Sequence, residues 1–122
     1  MSDIYTQNII FHGTKSPNKG FLSDSTLDAY EVNTLCGDNI RIYIKTNNGI
    51  IEDAKFEGDG CSISQASTSL LIEELRGMTI EQARKIDEIF INEILGVKVN
   101  PAREKCAMLS LKTLNKILNK IS

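Results

Sequence analysis

The clearest pattern in the chain is a strict alternation over residues 40–45, where Ile40, Ile42 and Ile44 are separated by Arg41, Tyr43 and Lys45. Period two is the mark of a strand with one face on a core and the other toward water. Asn47-Asn48-Gly49 follows, and because Asn and Gly accept positive φ the triplet predicts a hairpin. A return strand over 50–57 puts Ile50, Ala54 and Phe56 on one face, and Gly58-Asp59-Gly60 is expected to break it just before Cys61. A shorter strand over 29–35 leads into Cys36.

Past Cys61 the period becomes helical. Ser62 and Ser64 are candidate caps for a helix carrying Ala66, Leu70, Leu71 and Leu75, which Gly77 ends. Thr79-Ile80-Glu81-Gln82 reads as a capping box opening one helix with Ile86, Ile89, Phe90 and Ile94, up to Gly96. Asn100-Pro101 marks a last start, after which Ala107, Leu111, Leu114, Leu118 and Ile121 recur at helical spacing opposite a lysine-rich face. At the other end, residues 2–11 suit a short helix stopped by His12 and Gly13, and 14–25 read as a polar surface loop. A helix, a small antiparallel sheet and then helices is an α+β order.

Composition narrows the functional classes. The 122 residues suit one domain, 1–122, large enough to bury a core without cross-links. Sixteen acidic residues against fourteen basic ones give a net charge of −2, and Trp is absent. That balance argues against nucleic-acid and membrane-surface partners, which call for positive charge and, for single strands, aromatic platforms. No apolar run approaches a membrane span, and the start carries no secretory signal, so a reducing, cytoplasmic setting is expected. There, cysteines are kept for metals or chemistry rather than for disulfides.

The chain has three, Cys36, Cys61 and Cys106, each at a chain break or near a predicted helix start. Helix N-termini present free N–H groups and partial positive charge, which favour thiolate. Asp38 adds an oxygen donor two residues after Cys36, making four donors, the number a tetrahedral zinc or an edge of an iron–sulfur cluster needs. The separations match no C-x-x-C ribbon, so the fold itself would have to assemble such a site. The plainer alternatives are small buried thiols and an Asx turn at Asp38. Arg103 and Lys105 beside Cys106 are cations that would favour its thiolate, or else ordinary solvated residues. His12 is expected at the surface or as a cap rather than as a ligand. No P-loop, nucleophile elbow, H-E-x-x-H or zinc-deaminase signature is present.

Leu35-Cys36-Gly37-Asp38, the run from Glu52 through Gly58 into Gly60-Cys61-Ser62-Ile63-Ser64, and Pro101-Ala102-Arg103 with Lys105-Cys106-Ala107 resemble, in order, the three cysteine motifs of the IscU/NifU/SufU iron–sulfur assembly family. The resemblance implies a SufE/NifU-like fold, a three-stranded antiparallel sheet covered by helices. It implies a site of Cys36, Asp38, Cys61 and Cys106 holding zinc, iron or a [2Fe–2S] cluster. It also implies a cysteine desulfurase of SufS or IscS type as sulfur donor and apo iron–sulfur proteins as acceptors. Lys105 stands where the IscU branch has histidine and resembles the SufU branch, whereas the interval from Cys61 to Cys106 lacks the SufU insertion. Gly96-Val97-Lys98-Val99-Asn100 replaces the IscU chaperone-binding segment, and the family's Asp-His-Tyr region survives as Phe11-His12-Gly13. Three readings stay open: a non-enzymatic scaffold with Cys106 as sulfur acceptor, a zinc-dependent sulfurtransferase with Cys36 as acceptor, and a structural zinc module.

Overall fold

The computed structural model describes residues 12, 17–34, 37–96 and 101–121. The expected helix over 2–11 lies outside them. Three strands, β1 (Leu27–Asn33), β2 (Asp38–Asn47) and β3 (Ile50–Asp59), form an antiparallel sheet in the order β1-β2-β3. Four helices follow among the described residues: α1 (Ser62–Leu75), α2 (Ile80–Ala83), α3 (Glu88–Leu95) and α4 (Pro101–Leu118). The sheet turns Ile40, Ile42, Ile44, Ala54 and Phe56 inward, all with no exposed surface. Helix α4 lies over β1, α1 lies over β3, and the two helices pack against each other. The α+β class and the three-stranded sheet are as expected.

The details differ in ways that matter for the site. Strand β3 does not stop before Gly58; it runs on to Asp59, with Gly58 paired to Ile40. Gly58 has φ +143°, and a Cβ there would stand 2.0 Å from the Asn39 carbonyl oxygen. Only glycine allows β3 to pass β2 that closely, so the residue that reads as a breaker instead carries the strand on to Asp59, two residues before Cys61. Ile50 is exposed and Ile51 is the buried residue, because the register shifts between Lys45 and Thr46. Lys45 faces Asp53 while Thr46 faces Ile51, leaving Glu52 as the extra residue of a bulge that reverses the alternation.

The capping box at Thr79 forms in full, with Gln82 N–H donating to Thr79 Oγ1 at 3.1 Å and Thr79 N–H donating to Gln82 Oε1 at 3.0 Å. It opens only the short α2, however. The single helix expected there is two, because Asp87 caps a fresh start by accepting from Phe90 N–H at 2.9 Å. Both sheet edges are covered, which guards against edge-to-edge pairing. Gly20 N–H donates to the Phe56 carbonyl at 2.7 Å on the β3 side. On the β1 side, Lys116 of α4 and Lys120, just past its end, donate to the carbonyls of Tyr30 and Asp28 at 3.0 and 2.6 Å.

Candidate metal centre

Three segments end at one place. Asp38 opens β2 and is only 2% exposed. Cys61 follows β3 and is the N-cap of α1, half-buried. Cys106 lies in the second turn of α4 and is buried. One oxygen of Asp38 and the sulfurs of Cys61 and Cys106 all lie within 4.8 Å of one another. Cys36 falls outside the described residues, two positions before Asp38 in the chain. The fold thus brings together three of the four residues singled out in the sequence.

The local architecture rests on Asp38 rather than on the serines expected to cap α1. The N-cap Cys61 makes no side-chain cap hydrogen bond, and Ser64 Oγ donates back to the Cys61 carbonyl at 3.0 Å. Instead the Cys61 N–H donates to Asp38 Oδ1 at 3.1 Å, while the Cys61 thiol lies 3.8 Å from Asp38 Oδ2. One carboxylate therefore fixes the backbone at the helix start and stands beside the sulfur, at the positive end of a fourteen-residue helix. Gly60 makes this approach possible, since a Cβ there would lie 2.6 Å from Asp38 Oδ1 and 2.5 Å from Ser64 Oγ. Sequence reasoning passed over Gly60 except as a breaker, although a glycine next to a ligand is itself a sign of close approach.

The donor set fits zinc or iron. On zinc, with metal–sulfur bonds of about 2.3 Å in a tetrahedron, donors stand somewhat under 4 Å apart, so a spread within 4.8 Å closes with small side-chain movements. Soft thiolates also suit iron–sulfur clusters, and the carboxylate is the harder donor of the set.

The neighbouring residues divide clearly. Arg103 and Lys105 are exposed on α4, and Lys105 lines a cavity of about 380 Å³ with Val32, Asn33, Thr34, Met108 and Lys112. His12 is not at the surface as expected: it is 5% exposed and its Nδ1 bonds Ser69 Oγ at 2.7 Å. Asn18 donates to the Ser69 carbonyl at 2.9 Å and accepts from Arg76 Nη1 at 2.7 Å. Arg76 also donates to the Ala54 carbonyl at 2.9 Å. These bonds make His12 part of a network that ties His12 and Asn18 to α1 and β3. It is not a member of the donor group.

Residues 4–121 match the family model described as NifU-like N terminal domain. The chain belongs to this family. Among its relatives is a protein of Bacillus subtilis strain 168 named zinc-dependent sulfurtransferase SufU, 40% identical, the match covering 95% of this chain and 90% of that one. Another is the iron–sulfur cluster assembly scaffold protein IscU of Thermotoga maritima, 38% identical, covering 98% and 95%. The two alignments extend over 133 and 135 positions, more than the 122 residues of this NifU-like chain, so each relative has residues that it lacks. The solved structures include a candidate iron–sulfur cluster assembly scaffold protein for the SUF system from Fervidobacterium islandicum. It superposes with a TM-score of 0.76 at 32% identity, covering 96% of this chain and 98% of that one. The NifU-like protein of Brucella abortus, with a TM-score of 0.79 at 20% identity, shares the fold. No helix among the described residues is long and apolar enough to cross a membrane.

Proposed function

We propose that this protein receives sulfur from a cysteine desulfurase and assembles or relays it for [2Fe–2S] cluster formation on Cys36, Asp38, Cys61 and Cys106. The observation that carries the reading is the convergence of Asp38, Cys61 and Cys106 donor atoms from three distant segments of the chain. The family membership and the names of its relatives support it.

Zinc bound here would hold the sulfurs as oriented thiolates. The chain's own contributions can be assigned one by one. Helix α1 points its positive end at Cys61, favouring negative charge beside it. Asp38 supplies oxygen in place of a fourth sulfur, and an oxygen ligand to iron exchanges more readily than a thiolate, which keeps a cluster transferable. The partly exposed Cys61 leaves one side of the site open to arriving and departing sulfur. Sulfur arrives when a thiolate attacks the outer sulfur of the desulfurase persulfide and the desulfurase thiolate leaves.

The zinc-dependent sulfurtransferase reading stands second, favoured by two observations. Cys106, the acceptor under the scaffold reading, is only 4% exposed, whereas attack on a partner's persulfide needs an accessible sulfur. Lys105 also occupies the position directly before it. Cys36 is the acceptor under this reading. Cysteine turnover by the desulfurase from the same organism, measured with zinc-loaded and metal-free protein, tests both. A large zinc-dependent rise supports the sulfurtransferase. Little zinc dependence, with a [2Fe–2S] spectrum after anaerobic addition of iron, supports the scaffold. Neither effect would overturn both.

A further inference from the structure

Helix α1 buries an unusual number of polar side chains, and all but one are satisfied among the described residues. Ser64 donates to the Cys61 carbonyl, Ser67 to the Ala107 carbonyl, Thr68 to the Ser64 carbonyl, and Ser69 meets His12 and Asn18. Gln65 is the exception. It is 4% exposed, and neither the oxygen nor the nitrogen of its amide has a hydrogen-bond partner among the described residues. A native structure rarely leaves a buried amide unpaired without a reason, and a missing ligand is a leading one.

Its position says which ligand. Gln65 N–H donates to the Cys61 carbonyl at 3.1 Å, so the two residues sit one turn apart on the same face of the helix. Long side chains on a helix lean back over the turn toward its N-terminus, so an amide at position 65 has the reach to meet a sulfur at position 61. As a thiol, Cys61 has its own hydrogen to give and stands beside Asp38 Oδ2. Once a metal draws it into the thiolate form it can only accept, and it then needs a donor.

We propose that Gln65 is a positioning residue of this centre, its amide N–H donating a hydrogen bond to the Cys61 sulfur in the metal-bound protein. The proposal rests on the reading of Cys61 as a ligand. Outer-shell donors of this kind orient a ligand and tune its basicity.

The test uses the reduced, metal-free full-length chain with Zn(II) as the probe, titrated against a chromophoric chelator. Gln65→Met, nearly isosteric and without a donor, is expected to weaken Zn(II) binding about tenfold, the lower end of the range for outer-shell partners. In Co(II)-loaded protein the sulfur-to-metal charge-transfer band is expected to move to longer wavelength, because the sulfur becomes more electron-rich. The metal-free variant should unfold at the same or a higher temperature, since an unpaired buried amide has been removed. Zn(II) affinity within twofold of the parent, an unmoved Co(II) band, or a lower melting temperature of the metal-free variant would each overturn the proposal. Gln65→Leu repeats the comparison with a second side chain that has no donor. Cys61→Ser separates the two ideas. If it retains Zn(II) binding, the site reading itself fails; if it loses binding while Gln65→Met does not, only the role of Gln65 fails.

Discussion

Gly60→Ala is the most informative single change at the centre, because two opposed effects act on it and the geometry decides between them. Gly60 does not adopt positive φ, so alanine suits its backbone. An unstrained Gly→Ala change stabilises by about 0.4–1 kcal/mol, through a less disordered unfolded chain. Against that stands the space. The new Cβ would lie 2.5 Å from Ser64 Oγ, 2.6 Å from Asp38 Oδ1 and 2.8 Å from Asp38 Cγ. Ser64 can turn its hydroxyl aside. The Asp38 carboxylate cannot move without losing the 3.1 Å bond it accepts from the Cys61 N–H. A hydrogen bond to a charged group contributes roughly 1.5–3 kcal/mol, so the clash wins by about 1–2 kcal/mol.

For a chain of this size that difference lowers the melting temperature of the metal-free protein by roughly 4–8 °C. It should also weaken Zn(II) binding by at least about tenfold, because the displaced group is a donor as well as a cap. The measurement is thermal unfolding by circular dichroism, with a Zn(II) competition titration on the same samples. Adding Ser64→Ala to the variant should recover little of either loss, since Asp38 is the group that matters. A rise in melting temperature with unchanged Zn(II) affinity would refute the argument, for it would mean that the carboxylate is free to move and anchors nothing.

Asp38→Ala is expected to slow cluster release from the anaerobically reconstituted protein severalfold, followed by circular dichroism on transfer to an apo acceptor; an unchanged rate would remove the labilising role of the oxygen ligand. Ser67→Ala should cost about 1 kcal/mol in urea denaturation, because Ser67 Oγ donates to the Ala107 carbonyl at 2.6 Å and meets Ser110 Oγ at 2.9 Å where α1 and α4 cross. Ser67→Val should cost more, as overpacking is added to the lost bonds. Burial, and then the bond to Glu57, push the Tyr43 phenol up to about 12. The unfolded chain therefore gives up this proton first, near pH 10, and the fold loses stability between about pH 10 and 12. Tyr43→Phe should flatten that part of the denaturation profile, and an equal slope in both proteins would count against it.

What could be read from the sequence was what depends on near neighbours. Alternation at Ile40, Ile42 and Ile44, the Asn48-Gly49 turn, the Thr79 capping box and Pro101 at a helix start each act over a few residues, and each stands where expected. The errors share a cause. The apolar spacing of Ile86, Ile89, Phe90 and Ile94 is the same whether or not the helix restarts at Asp87, so periodicity alone joins two helices into one. Glu52 bulges because of how β3 is paired, and nothing in residues 50–57 announces it.

The site divides along the same line. Residue type and position near predicted breaks were enough to single out Asp38, Cys61 and Cys106, because cysteines near helix starts and a carboxylate two residues from a cysteine are chemically conspicuous. Their convergence depends on contacts between segments 23 and 45 residues apart, which no local pattern encodes. The glycines show how that convergence is secured. Gly58 lets β3 run against β2 as far as Asp59, and Gly60 lets Asp38 accept from the N-cap N–H of α1. Read locally, both are strand breakers; in the fold each is a place where a Cβ would not fit. The same logic explains Gln65. A buried amide left unpaired among the described residues, in a helix that satisfies every neighbouring polar side chain, is a local inconsistency, and such inconsistencies are expected where a site waits for its ligand rather than where a core is packed.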